Sequence, residues 1–195
     1  MESTVEQPRP DRSPDSQDIQ RVELQLAHDQ LNSFFPLFQK GVTVPAVTGC
    51  TLKNLLCDQL KIPADYVTNR ITTIFFDNRP VDDLDRTIIQ DGSRVTLSAA
   101  MPGLVGATMR RGGFYAALRQ GISHAADDGA AAGASGTIRI KLFNLLLSEL
   151  APLVLARGLL LEREEVDELL RQLPDLPLQT LDGAAPVFLI VCFRE

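Results

Sequence analysis

The sequence predicts an α+β fold: a small sheet with one helix laid across it, followed by a helix-and-hairpin module. Three observations predict it. Arg21 to Ala27 and Arg94 to Ser98 alternate apolar and polar residues with the period of two that half-buried strands show. Leu52, Leu55, Leu56 and Leu60 recur at helical spacing behind Thr51, a good N-capping residue. Asp77-Asn78-Arg79-Pro80 and Asp91-Gly92 are turn sequences set between apolar runs.

Taken in order, residues 1–18 are polar, carry three prolines and lack an apolar stretch, which predicts a disordered arm and no signal peptide. The β-β-α-β-β unit is placed at residues 19–100. Val22, Leu24 and Leu26 give the first strand its inner face. In Leu31 to Phe38, Pro36 predicts an edge or a connection. Gly41 to Val47 is the second strand, and the helix behind Thr51 stops at Ile62-Pro63. Ile71 to Phe76 is β-branched and aromatic, a central strand. Arg94 to Ser98 closes the unit with Val95 and Leu97 inward.

A Gly/Arg-rich segment follows at 101–124, then a low-complexity flexible linker at 125–136 and a C-terminal helical module at 137–195. In that module Thr137, Lys141, Asn144 and Ser148 form a thin polar stripe on an otherwise apolar helix, with a short strand at Ile138 to Leu142 as the alternative. Glu162 to Leu173 is an amphipathic helix with its acidic residues early, ended by Pro174. Leu178 to Leu181 and Pro186 to Phe193 predict a closing β-hairpin whose second strand, with Cys192, is buried.

Composition narrows the function. Hydrophobic residues make up 45% of the 195, enough for a core, and the net charge of −6 argues against a general nucleic-acid surface. Three cysteines, Cys50, Cys57 and Cys192, without a C-x-x-C motif predict free thiols in a reducing, cytoplasmic setting, with no disulfide scaffold and no metal site. Two histidines far apart leave little material for triad chemistry. The apolar stretch from Leu142 to Leu161 has the length of a membrane span. It contains Glu149 and Arg157, however, and such charges cost roughly 2.5–3.5 kcal/mol each in mid-membrane, so a buried helix is expected. The adjacent carboxylates Asp82-Asp83, Asp127-Asp128 and Glu164-Glu165 point in different directions within their elements and do not form an acid–base pair. Cys50 and Cys57 have only Lys53 as a cationic neighbour in sequence, which points to structural thiols. No enzyme class and no cofactor emerge from these residues.

The stretch CTLKNLLCDQL, continued through ITTIFFDNRPVDDLDRTIIQDGSRVTLSAAMPG, resembles the β-grasp sulfur-carrier proteins, the small subunit of molybdopterin synthase and the thiamine sulfur carrier. The resemblance spans about residues 21–113. It rests on a helix opening T-L-x-x-L-L, a strand and polar turn at N-R-P-V, and a last strand D-G-S-R-V-T-L. It implies a ubiquitin-like β-grasp domain that works through a flexible Gly-Gly end, adenylated by an activating enzyme and then converted to a thiocarboxylate. Glycine suits that task because a chain without Cβ atoms threads a narrow channel.

Gly112 and Gly113, preceded by Arg110 and Arg111, are the candidate tail, and Phe114 follows directly. A carrier function then requires a processing protease to cut after Gly113. Arg110, Arg111 and Phe114 are the candidate partner-binding residues. The same glycines also fit close-packed turns, and glycines beside arginines fit an anion-binding loop, although no G-K-[ST] follows. Two functions remain: a non-enzymatic sulfur-carrier-like or ubiquitin-like protein activated by cleavage, and a protein–protein interaction module with no covalent tail chemistry. Both imply protein partners, neither implies nucleic acid or membrane, and self-association fits either.

Overall fold

A computed structural model describes residues 19–119, 121–124, 133–176 and 186–194. The expected arm at 1–18, most of the expected linker and the first strand of the expected closing hairpin lie outside the described residues. Among the described residues the fold is α+β, built on one eight-stranded mixed sheet.

In chain order the strands are β1 (Gln20–Ala27), β2 (Val42–Thr48), β3 (Thr73–Phe76), β4 (Arg79–Pro80), β5 (Arg94–Ser98), β6 (Ala134–Phe143), β7 (Leu159–Leu161) and β8 (Val187–Arg194). The α-helices are α1 (Phe35–Lys40), α2 (Leu52–Asn54), α3 (Ala64–Asn69), α4 (Gly103–Met109), α5 (Leu146–Arg157) and α6 (Arg163–Gln172). The strand order across the sheet is β1-β8-β7-β2-β6-β5-β3-β4. β1 runs parallel to β8 and β5 parallel to β6, and the remaining neighbours are antiparallel.

Local chemistry explains most elements. The side chain of Thr51 caps α2 by accepting from the Asn54 N–H at 3.1 Å, and the helix widens into a π turn over Leu55–Gln59. The leucine stripe expected there, Leu52, Leu55, Leu56 and Leu60, is buried. Asp77 and Asn78 both hold positive φ, the geometry of a tight hairpin turn, and they join β3 to β4. Glu162 and Glu165 form a capping box at the start of α6. Val42, Val44, Val95, Leu97, Ile138, Ile140, Leu142, Leu189 and Val191 point to one face of the sheet and form the core with α1, the α2 turn and α5.

The first and second strands, joined by the turn His28–Phe34 and α1, are not neighbours in the sheet, where β8 and β7 lie between them. Several expectations are corrected. Of the two alternatives for Leu31 to Phe38, the connection holds and the edge does not: Phe35–Lys40 is a helix between β1 and β2, with Pro36 in its first turn, where no intrahelical N–H is needed. The polar stripe from Thr137 belongs to strand β6 followed by a separate helix. The period-2 pattern of Ile138, Ile140 and Leu142 wins over the helical one, and Asn144, with φ of 57°, breaks the chain between them. Residues 134–136 extend β6 rather than the linker. Cys192 is exposed, because β8 buries Val187, Leu189 and Val191 on one face and turns Cys192 to the other.

Strands from residues 19–100 and from residues 134–194 alternate within one sheet.

Candidate functional site

The segment 101–124, expected to carry the working glycines, wraps over the β3–β4 end of the sheet and is held there by side chains. It begins with a tight reversal: a Cβ on Gly106 would lie 1.8 Å from the carbonyl oxygen of Met101, so only glycine allows α4 to start against residue 101. The helix ends at Arg110, whose backbone is extended and whose side chain is exposed.

Arg111 docks. Its N–H donates to the Thr72 oxygen at 2.8 Å, and its guanidinium donates to the Val67 oxygen at 2.6 Å at the end of α3. Burial lowers its pKa from the ordinary arginine value, offset by Asp82. Gly112 holds φ of 60° and donates its N–H to Asp82 Oδ1 at 3.1 Å, while the Gly113 N–H closes a turn on the Arg110 oxygen at 3.2 Å. Gly112 and Gly113 thus sit in a hydrogen-bonded turn, with the backbone of Gly112 open to solvent.

A second arginine completes the clamp. Arg119 ends a 3-10 turn, Phe114–Arg119, and is only 3% exposed. Its guanidinium donates to Thr108 O at 2.7 Å, Ser123 Oγ at 2.8 Å and Asp82 Oδ1 at 2.7 Å. Asp82 therefore receives Arg119 and the Gly112 N–H on the same oxygen. The His124 N–H then donates to the Pro80 oxygen at 2.9 Å, and its ring packs on Phe76.

The apolar side chains of Phe114, Tyr115 and Leu118 face the other way. Phe114 is 92% and Leu118 75% exposed; Leu104, Val105, Tyr115 and Ile122 of the same segment are also exposed. The polar residue docks and the apolar ones stand out. Nothing in the sequence marks Arg119 and Asp82 as partners, because an arginine six residues beyond a glycine pair carries no sign of burial.

Beside the clamp lies an open groove of about 620 Å³, lined by Cys57, Val67, Leu84, Asp82, Arg111 and Ala116, among others. The thiols near it are not activated. Burial, with Asp58 next, raises the pKa of Cys57. Burial likewise raises that of Cys50, which accepts from Gln59 Nε2 and donates to the Val47 oxygen.

Across the groove wall, Tyr66 of α3 and Arg70, the residue that follows this helix, both donate to Glu149 of α5. These bonds, Arg70 foremost, hold the Glu149 carboxyl down to about 2. Burial and this same carboxylate push the Tyr66 phenol well up. Among the described residues no group of three or more His, Cys, Asp or Glu side chains is placed to hold a metal ion, and no helix is long and apolar enough to cross a membrane.

Comparison with protein-family models, with curated proteins and with solved structures found no match.

Proposed function

We propose that this protein is a non-enzymatic interaction module whose docking surface is the ridge of segment 101–124. The observation that carries the reading is the outward Phe114–Leu118 face on a segment pinned from beneath by Arg111 and Arg119. A rigid support under protruding apolar side chains is what a binding hot spot needs, since the anchors are ordered before the partner arrives. Exposed apolar residues in one contiguous segment mark interaction sites more than scattered ones do.

The scaffold beneath it supports a β-grasp reading in rearranged form. The neighbours β2, β6, β5, β3 and β4, with the α2 turn against β2, follow the order of a ubiquitin-like sheet in which the strand between β2 and β5 comes from the C-terminal side. The test is site-specific crosslinking in the cell of origin. A photoreactive residue at Phe114 should trap a protein partner, and one at exposed Glu164 on α6 should not. Equal yields at the two positions would defeat the reading.

The carrier reading has its own support: the Gly113–Phe114 bond lies at the surface, between open Gly112 and exposed Phe114, where a processing protease reaches it. It requires an adenylating enzyme as partner. The mass of the native protein decides it. A species ending at Gly113, or one heavier by exchange of oxygen for sulfur, supports the carrier; full-length chain alone rejects it.

A further inference from the structure

We infer that the two parts of this chain on either side of the Gly113–Phe114 bond remain assembled when that bond is cut, so that cleavage yields a non-covalent two-piece protein with its fold intact. The inference rests on the sheet order and not on the docking ridge. For the carrier reading it replaces a discarded C-terminal piece with a permanent companion.

The sheet is interleaved. Reading across it, β1 belongs to the first piece, β8 and β7 to the second, β2 to the first, β6 to the second, and β5, β3 and β4 to the first. The pieces therefore meet along four strand borders. Along β1 and β8 the register runs unbroken from Gln20↔Val187 to Ala27↔Arg194. β6 is enclosed on both sides, antiparallel to β2 from Val42↔Ile140 to Thr48↔Ala134 and parallel to β5 from Arg94↔Arg139 to Ser98↔Phe143. β7 touches β2 at Thr43↔Leu160.

Separation would open every one of these ladders and leave backbone donors and acceptors unpaired on both pieces. It would also expose Ile138, Ile140 and Leu142 from the middle of the sheet, together with Leu150, Val154 and Leu155 of α5. Side-chain bonds cross the same divide: Asp91 Oδ1 accepts from the Thr137 N–H at 2.7 Å, Glu149 receives Tyr66 and Arg70, and Arg157 donates to the Gln59 oxygen at 2.6 Å. Among the described residues the connection from Ser98 to Ala134, by contrast, adds no strand to the sheet. Its docking bonds fall on both sides of the cut, with Arg111 before it and Arg119 after it.

The test uses the full chain with a recognition sequence for a site-specific protease inserted between Gly113 and Phe114. After folding and cutting, both pieces should elute together at the volume of the uncut chain. The Ile140 amide should keep its hydrogen-exchange protection, and the pieces should part only in concentrated urea. Elution of the 114–195 piece by itself in native buffer, or loss of protection at Ile140, would overturn the inference.

Should the insertion impair folding, residues 1–113 and 114–195 are produced together as two chains with a tag on the first. One-to-one recovery supports the inference, and its loss on Ile140→Asp places the contact at β6. A soluble, folded 1–113 recovered alone contradicts it. Native mass measurement asks the separate question of whether the cut occurs in the cell, so failure there leaves the assembly result standing.

Discussion

Replacing Arg119 by alanine should release segment 101–124 while leaving the sheet folded. The arginine is almost wholly buried and holds Thr108 O, Ser123 Oγ and Asp82 Oδ1. A hydrogen bond from a charged donor contributes about 1.5–3 kcal/mol, and removing one member of a fully buried ion pair costs about 3–5 kcal/mol. The Asp82 side chain is 42% exposed, however, and water replaces part of what it loses. The net loss is therefore set by the orphaned Thr108 carbonyl and the lost packing, about 2 kcal/mol, which is roughly a 30-fold rise in the open population.

Hydrogen exchange reads this directly, because local opening shows only at the amides that the segment buries. Exchange should accelerate by about that factor at Arg111, whose N–H is held by Thr72, and at His124, whose N–H is held by Pro80. Amides of β2 and β6 should not change. Unaltered exchange at Arg111 would show that the clamp does not depend on Arg119. Equal acceleration in β6 would show that the segment is part of the global fold rather than a separately opening unit.

Three further outcomes are expected. Gly106→Ala brings a methyl group against the Met101 carbonyl, so the reversal before α4 must shift at a cost of about 1–3 kcal/mol, seen as faster proteolysis within 101–124. Ile140→Ala empties a fully buried site at the centre of the sheet and should lower stability by about 2–5 kcal/mol in a denaturant titration, with every probe moving together. The Glu149 carboxyl is depressed to about 2, so its contribution is complete above the ordinary carboxylate pKa and is lost as pH falls through that lower value. Glu149→Gln should therefore flatten the loss of stability between about pH 4.5 and pH 2, and an unchanged acid limb would refute this.

The sequence reveals those parts of the molecule whose cause is local. The Thr51 cap, the leucine stripe of α2, the turn at Asp77-Asn78 and the strand at Arg94 to Ser98 each follow from residue type and spacing, and each is present. Pairing is not local. That β6 enters between β2 and β5 depends on contacts between residues far apart in the chain, such as Val42↔Ile140 and Arg94↔Arg139, and no pattern within Ile138 to Leu142 names its neighbours. The clamp is hidden for a related reason. Arg119 is buried because Asp82 and the Thr108 carbonyl meet it there, and neither is visible from the arginine's own surroundings in sequence. The stripe Phe114, Tyr115 and Leu118 shows the limit most plainly: periodicity identifies an apolar face but does not say whether the core or a partner covers it.

The two readings of Gly112-Gly113 separate at Arg111. Glycine serves a tight turn and a threading tail for the same reason, the absence of a Cβ, so the glycines alone do not decide. Their anchor does. Arg111 lies before the cut and stays bound to Thr72 and Val67 after it, leaving only Gly112 and Gly113 beyond the anchor. Two extended residues reach about 7 Å, so while Arg111 stays docked the end is held against the protein's own surface. A carrier must therefore break the Arg111 bonds to use its end, whereas a docking ridge must keep them. Arg111→Ala should in consequence raise adenylation of a chain ending at Gly113 if the carrier reading holds, and should lower crosslinking from Phe114 if the docking reading holds. If crosslinking is undiminished and adenylation is no higher, Arg111 is not the anchor that either reading takes it to be.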